Sequence, residues 1–282
     1  MIRFGFLLLV LAKVASGNPN GPCDDLHIEP AGTIDTGTAS TYNEALESGH
    51  FQQVIWALRD RGEEAQAEKV AACLEHILRT GEVLTEERLG TGISASNKLE
   101  LERGVTAVFK TTNSFKGCYR HELAAYALDQ RLGLHIVPLT VERTIDGRTG
   151  SLQYFMEDAV PAHEAESARK NVELKILDIL MDNEDRHAAN WLIYEFDGER
   201  RVAAIDHNLT FNCRSEANLK TVSIKNLDPA EARAYRQRLE SFPKSELRAL
   251  LEPYVSRNRA IRKAEKARRK LIRRFEKLAT AN

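Results

Sequence analysis

The residues able to do chemistry crowd into one stretch. In Leu177-Asp-Ile-Leu-Met-Asp-Asn-Glu-Asp-Arg-His-Ala-Ala-Asn-Trp-Leu-Ile193 an apolar, helix-like run gives way to Asp182, Asn183, Glu184, Asp185, Arg186, His187 and Asn190. A second stretch, Arg201-Val-Ala-Ala-Ile-Asp206, ends on a carboxylate. An amide oxygen (Asn190) facing a carboxylate (Asp206) makes a pair of hard oxygen ligands that suits magnesium when phosphates complete the octahedron. Asp185 falls on the loop leaving the helix, where it can accept or orient an acceptor proton, and Arg186 and His187 can orient it or balance charge on a transferred phosphoryl group. Lys110 ends the apolar run Ala107-Val-Phe-Lys110, which points an ammonium into a cleft, and Glu122 on the following helix can pair with it. Gly90-Thr-Gly92-Ile-Ser94 offers small residues and free backbone amides for phosphates, a weak signal taken alone. Helix capping would explain any one of these polar residues, but not the whole constellation.

Elements must position these groups. Tyr42 to Leu78 carries a helical period broken at Asp60-Arg-Gly62, which predicts a helical hairpin acting as a packing appendage. From Val83 the period moves toward two, with strands at Leu89–Leu101, Val105–Lys110, Ile136–Arg143 and Ser151–Met156, the last two turning at Asp146-Gly147. A helix over Tyr119–Leu132, ended by Gly133, interrupts them. After Pro161 the chain reads as mostly helical, apart from a hairpin of Trp191–Phe196 and Arg201–Asp206 joined through Asp197-Gly198. If that hairpin is symmetric about Gly198, Asn190 faces Asp206, with register uncertain by a residue.

On these two stretches, Asp178-Ile-Leu-Met-Asp-Asn-Glu-Asp-Arg-His-Ala-Ala-Asn-Trp-Leu-Ile193 and Arg201-Val-Ala-Ala-Ile-Asp-His-Asn-Leu-Thr-Phe211, the chain resembles the atypical kinases of the protein-kinase-like superfamily. It is most similar to the type II phosphatidylinositol 4-kinases within the phosphoinositide 3- and 4-kinase group, and also to secretory-pathway casein kinases and bacterial toxin-type serine kinases. The resemblance implies an α+β, two-lobed fold: an antiparallel-sheet N-lobe over 83–160 and a mostly helical C-lobe over 161–282, preceded by the hairpin at 42–80. It implies ATP as cofactor with magnesium, manganese being an alternative, and adenine held near Gln153, Phe155 and Met156. By motif position Asp185 would be the catalytic aspartate, Asn190 and Asp206 the metal ligands, Lys110 the phosphate lysine and Glu122 its partner. His207 and Asn208 follow the metal aspartate where lipid kinases usually have a nearby glycine, and the chain has little room for their lipid-binding insertions.

The 282 residues suit one large or two-lobed unit, and 43% hydrophobic content supports a proper core. Net charge is −1, but residues 257–277 hold eleven Lys or Arg against two Glu. Ile261, Ala264, Leu271, Ile272, Phe275 and Leu278 recur there at helical spacing, giving a basic amphipathic helix that docks its stripe on the C-lobe or lies on an anionic membrane surface; nucleic acid is unlikely as a partner, because no aromatic or base-reading motif accompanies the charge. Residues 1–17 read as a signal peptide, too short to span a bilayer, with Ala15 and Gly17 before the cleavage point, followed by an irregular leader at 18–41. Export makes one or two disulfides among Cys23, Cys73, Cys118 and Cys213 an expectation, without fixing their pairing. Asn208-Leu-Thr210 matches a glycosylation pattern, read as chance because a glycan there would obstruct the metal site. The leading expectation is an exported, magnesium-dependent kinase acting on a protein Ser/Thr or lipid hydroxyl. The alternative is a nucleotide-binding pseudokinase acting as a scaffold or membrane-surface binding protein.

Overall fold

The computed structural model describes residues 21–24, 26–28, 41–90, 96–111, 118–162, 171–211, 224 and 227–280. The proposed signal segment, Gly92, Ser94 and Cys213 lie outside them.

Three helices come first: α1 (Tyr42–Glu47), α2 (Phe51–Asp60) and α3 (Glu64–Thr80). Thr41 caps α1 by accepting from the Glu44 amide, and Gly62, at φ 75°, supplies the left-handed residue that turns α2 into α3. A five-stranded antiparallel sheet follows, built from β1 (Val83–Arg88), β2 (Ser96–Leu101), β3 (Thr106–Thr111), β4 (Thr140–Ile145) and β5 (Arg148–Tyr154) in the order β1-β2-β3-β5-β4. The period-two alternation of β3 sorts its side chains. Ala107 and Phe109 join Leu99, Leu101, Leu152 and Tyr154 in one core with Val54, Ile55, Leu74 and Ile77 of α2 and α3. Val108 and Lys110 take the other face, opposite Gln153 and Ser151 of β5. The helical hairpin is therefore not an appendage: it shares the core of one face of the sheet, because that face of β3 and β5 is apolar and must be covered.

Helix α4 (Tyr119–Leu132) links the two cores. It ends at Gly133, whose φ of 58° is the left-handed C-cap that glycine adopts without strain. Below it lie β6 (Val160–Pro161), α5 (Val172–Met181), β7 (Trp191–Phe196), β8 (Glu199–Ala204), α6 (Pro229–Glu240), α7 (Lys244–Leu251) and α8 (Asn258–Ala279), with β6-β7-β8 as a small second sheet. Asp228 and Glu231 close a capping box on α6. Ala260, Ile261, Ala264, Leu271 and Phe275 of α8 are buried in the lower core, while Arg259, Arg262, Lys266, Arg269, Lys270 and Arg273 face outward. The basic helix thus docks its stripe on the C-lobe. Among the described residues no helix is long and apolar enough to cross a membrane.

Cys23 and Cys73 form a disulfide that ties the leader to α3. Cys118 is a free thiol just before α4.

Candidate active site

The helix α5 leads into the polar stretch 182–190, and its end is fixed by polar bonds. Its last residue is followed by Asp182, left-handed at φ 53°, whose Oδ2 accepts from Lys263 Nζ of α8 at 3.0 Å. Asn183 then turns back: its side chain donates to Asp178 Oδ1 at 2.8 Å and accepts from the Asp185 amide at 3.0 Å. Asp185 is left half-buried with its carboxylate beside Asn190, whose Nδ2 donates to the Asp185 carbonyl at 2.7 Å and lies 3.4 Å from its Oδ2. With the amide nitrogen so engaged, Asn190 keeps Oδ1 as an acceptor for a cation or a donor.

Arg186 is engaged by partners within the protein. Its guanidinium grips Asp178 at 3.0–3.2 Å and donates to two backbone carbonyls, Ile205 at 2.8 Å and Asn190. Arg186 ties together the two chain segments that carry Asn190 and Asp206, so its role is to position. His187 is likewise occupied locally: it is exposed and accepts from the Ala189 amide, capping the short turn that ends at Asn190.

The hairpin register differs by one residue from the symmetric reading. Trp191 pairs with Ala204 and Phe196 with Glu199, so Asn190 stands opposite Ile205, and the Ile205 amide donates to the Asn190 carbonyl at 3.2 Å. The cause is a two-residue turn in which both Asp197 (φ 56°) and Gly198 (φ 70°) are left-handed, placing the centre between them rather than on Gly198. Asp206 is the next residue, itself left-handed at φ 57°, and it aims its carboxylate up into the N-lobe.

There it meets Lys110, whose Nζ donates to Asp206 Oδ1 at 3.0 Å and to Glu122 Oε1 at 2.7 Å. Burial alone would lower the Lys110 pKa; the two carboxylates outweigh it and raise the value, keeping the ammonium charged. Burial alone would raise the Glu122 carboxyl, but Lys110 and His207 hold it below the usual carboxylate range. His207 is a residue whose role the sequence did not signal. It is fully buried, its amide donates to Glu122 Oε2 at 3.0 Å and its Nδ1 lies 3.2 Å from the same oxygen. Burial lowers its pKa, and since a carboxylate only accepts, the single ring proton sits on Nδ1. The four groups form one chain across the cleft, His207, Glu122 and Lys110 buried and Asp206 partly exposed at its end.

Gly90, two residues beyond β1, adopts the left-handed region at φ 58°. The adenine candidates separate. Gln153 shares the cleft face with Val108 and its amide donates to Thr140 Oγ1 at 2.9 Å. The Phe155 ring is half-buried with Lys98 Nζ 4.4 Å above it, while Met156 turns the other way into the core formed with α2 and α3. Met156 can meet a base only through its backbone. Ser151 Oγ is buried on the cleft side with no partner among the described residues. Asn208 and Thr210 are buried, and the Thr210 hydroxyl donates to the His207 carbonyl at 2.7 Å, so the glycosylation pattern is not presented.

The profile described as Phosphatidylinositol 3- and 4-kinase matches residues 105–276. Among solved structures, a Golgi casein kinase aligns at 15% identity and TM-score 0.50 over 75% of this chain and 76% of that chain. The Fam20 protein of hydra, solved with sugar, aligns at 12% identity and TM-score 0.54 over 77% and 91%. No curated protein sequence matches. The profile spans more than half of the chain, from β3 to the last turns of α8, and the chain belongs to the phosphatidylinositol 3- and 4-kinase family, with an atypical protein-kinase-like fold.

Proposed function

We propose that this kinase is exported and transfers the γ-phosphoryl group of ATP, with magnesium, to a hydroxyl, a protein Ser or Thr ahead of a lipid inositol. The observation that carries the reading is Lys110 held between Glu122 and Asp206 while Asn190 is tied to Asp185, an arrangement that supports Lys110 as the phosphate-binding cation, Asn190 and Asp206 as metal ligands and Asp185 as the carboxylate that orients the acceptor. Hard oxygens from Asn190 and Asp206 fit a divalent ion that takes its remaining ligands from phosphate and water. When bound, that ion supplies charge neutralisation for the phosphates.

The chain's own residues do the rest. Lys110 moves from Asp206 to a phosphate oxygen while Glu122 keeps its direction, Arg186 fixes the separation of Asn190 from Asp206, and Asp185 orients the acceptor hydroxyl. An oxygen–phosphorus bond forms from that hydroxyl as the bond to the β-phosphate oxygen breaks; ADP leaves and the hydroxyl proton passes toward Asp185. Support for export comes from the apolar N-terminal run and the Cys23–Cys73 disulfide, a bond that persists in oxidising compartments.

The test is transfer of radiolabel from γ-labelled ATP to dephosphorylated casein and, separately, to phosphatidylinositol vesicles, with Asp185→Asn as the blank. Labelling of casein in preference to vesicles, absent in the blank, is expected. Preferential labelling of the lipid would overturn the order of acceptors, and ATP binding without any transfer would point to the scaffold alternative.

A further inference from the structure

Residues 42–61 lie outside the span of the family profile, yet they touch both lobes. At the segment joining the lobes, Tyr154 Oη donates to the Gly49 carbonyl at 2.6 Å and lies 3.1 Å from the Gln53 side-chain amide. Gln52 Oε1 accepts from the Leu139 amide at 2.7 Å, and His50 Nε2 lies 2.5 Å from Asp158 Oδ2. Gly49 is left-handed at φ 84°, and a Cβ there would meet the Gly104 carbonyl oxygen at 2.5 Å, so this turn is pressed against the β2–β3 connection.

The same two helices hold the far end of the β7–β8 hairpin. Asp197, in its turn, accepts at Oδ2 from Arg61 Nη2 at 2.5 Å and from Tyr42 Oη at 3.2 Å. Arg201 on β8 pairs with Asp60 at 2.9 Å, and the Trp56 ring stacks on Tyr194 of β7 at 5.7 Å. The other end of that hairpin carries Asn190 and Asp206.

We propose that α1 and α2 form an interlobe brace, in which Tyr42, Asp60 and Arg61 are positioning residues that hold the hairpin as a lever and keep Asp206 within reach of Lys110. A two-stranded hairpin is marginal by itself, and here its third strand, β6, is two residues long. Lobes joined at a hinge swing unless something spans them. A segment fixed both to the hinge and to the lever's turn removes that freedom. The consequence for transfer rests on the kinase reading, whereas the brace itself is readable without nucleotide.

The experiment is hydrogen exchange by mass spectrometry on the nucleotide-free full chain, wild type against Tyr42→Phe/Arg61→Gln, a change that leaves the apolar core intact. The informative amides are Ala204, Ile205 and His207, bonded to Ile136, Asn190 and Glu122. The brace predicts about tenfold faster exchange at these amides, far from the altered residues. Faster exchange confined to Asp197 and Gly198, with those amides unchanged, would overturn it. In turnover, kcat/KM for ATP should fall about tenfold, since the proposed magnesium-nucleotide site needs Asp206 held beside Lys110. The charge-reversed protein Arg61→Asp/Asp197→Arg should recover slow exchange relative to Arg61→Asp alone; no recovery in a folded protein would sink the pairwise link. If Tyr42→Phe/Arg61→Gln does not fold, Asp60→Asn, which loosens only the Arg201 link, is read in the same way. Wild-type protein that transfers no phosphate but shows the exchange pattern would contradict the kinase reading and leave the brace standing.

Discussion

The two faces of the five-stranded sheet obey different physics. On one, Ala107, Phe109, Leu99 and Leu152 pack against α2 and α3 in an apolar core, where shape and area decide the outcome. On the other, Lys110, Ser151 and Gln153 are buried polar groups, each of which needs a partner. Lys110 finds two, one from α4 and one from the loop after β8; Gln153 finds Thr140; Ser151 finds none among the described residues. Neighbouring residues of one strand therefore serve stability and chemistry separately, and the chemical face is completed only by segments far away in sequence.

The largest effect should come from the apolar face. Phe109→Ala, at a fully buried site, should cost about 3–5 kcal/mol of unfolding free energy in urea titration. A loss under about 1 kcal/mol would mean that the covering helices do not bear on β3. On the chemical side, Asp185→Asn should lower kcat by about 10²–10³-fold, roughly 3–4 kcal/mol of transition-state stabilisation, with the melting temperature close to that of the wild type. Gly150→Ala tests both faces together. Its Cβ would stand 2.3 Å from the Lys110 carbonyl oxygen and 2.8 Å from the Phe109 ring, so we expect about 1–3 kcal/mol of destabilisation together with weaker ATP binding in calorimetry. Unchanged binding in a destabilised protein would show that the two faces tolerate strain independently.

A separate, pH-dependent effect concerns Asp129 on α4, which accepts from the Ile136 and Val137 amides at 2.9 and 3.2 Å. Burial pushes its carboxyl up to about 7, against those donors and Gln130. Between its ordinary value near 3.8 and about 7 the folded protein keeps a proton that the unfolded chain has lost. Stability therefore falls as pH rises through that window. Asp129→Asn removes this dependence, so its stability relative to the wild type should improve from pH 4 to pH 8, as denaturation across that range would reveal. His135, held down to about 4 chiefly by burial, is common to both proteins and cancels.

Much of this arrangement was legible in the sequence because it is local. Alternation around Lys110, the Asp-Gly turn of the hairpin and Gly133 after α4 are each dictated by neighbours a few residues away. The crowd of polar groups after Met181 signalled a site, but not the division of labour within it. Arg186 bonds backbone carbonyls, which every residue carries, so no pattern of side chains could announce that target. The one-residue register difference follows from where the centre of a two-residue turn falls. Burial of His207 against Glu122 was hidden for another reason: it depends on packing between lobes, 85 residues apart in the chain. Met156 illustrates the same limit, since its position beside the hinge was readable and the face it turns to was not.

The central claim is that Asp206, reached by Lys110 and set beside Asn190, forms part of a magnesium-nucleotide site. Titration calorimetry of ATP with and without magnesium, on the wild type and on Asp206→Asn, tests it directly. Asparagine tolerates the left-handed backbone at this position, so the variant is expected to fold. The account predicts binding that needs magnesium in the wild type and loses that dependence, with most of its affinity, in the variant. Equal magnesium-dependent binding by both proteins would contradict it.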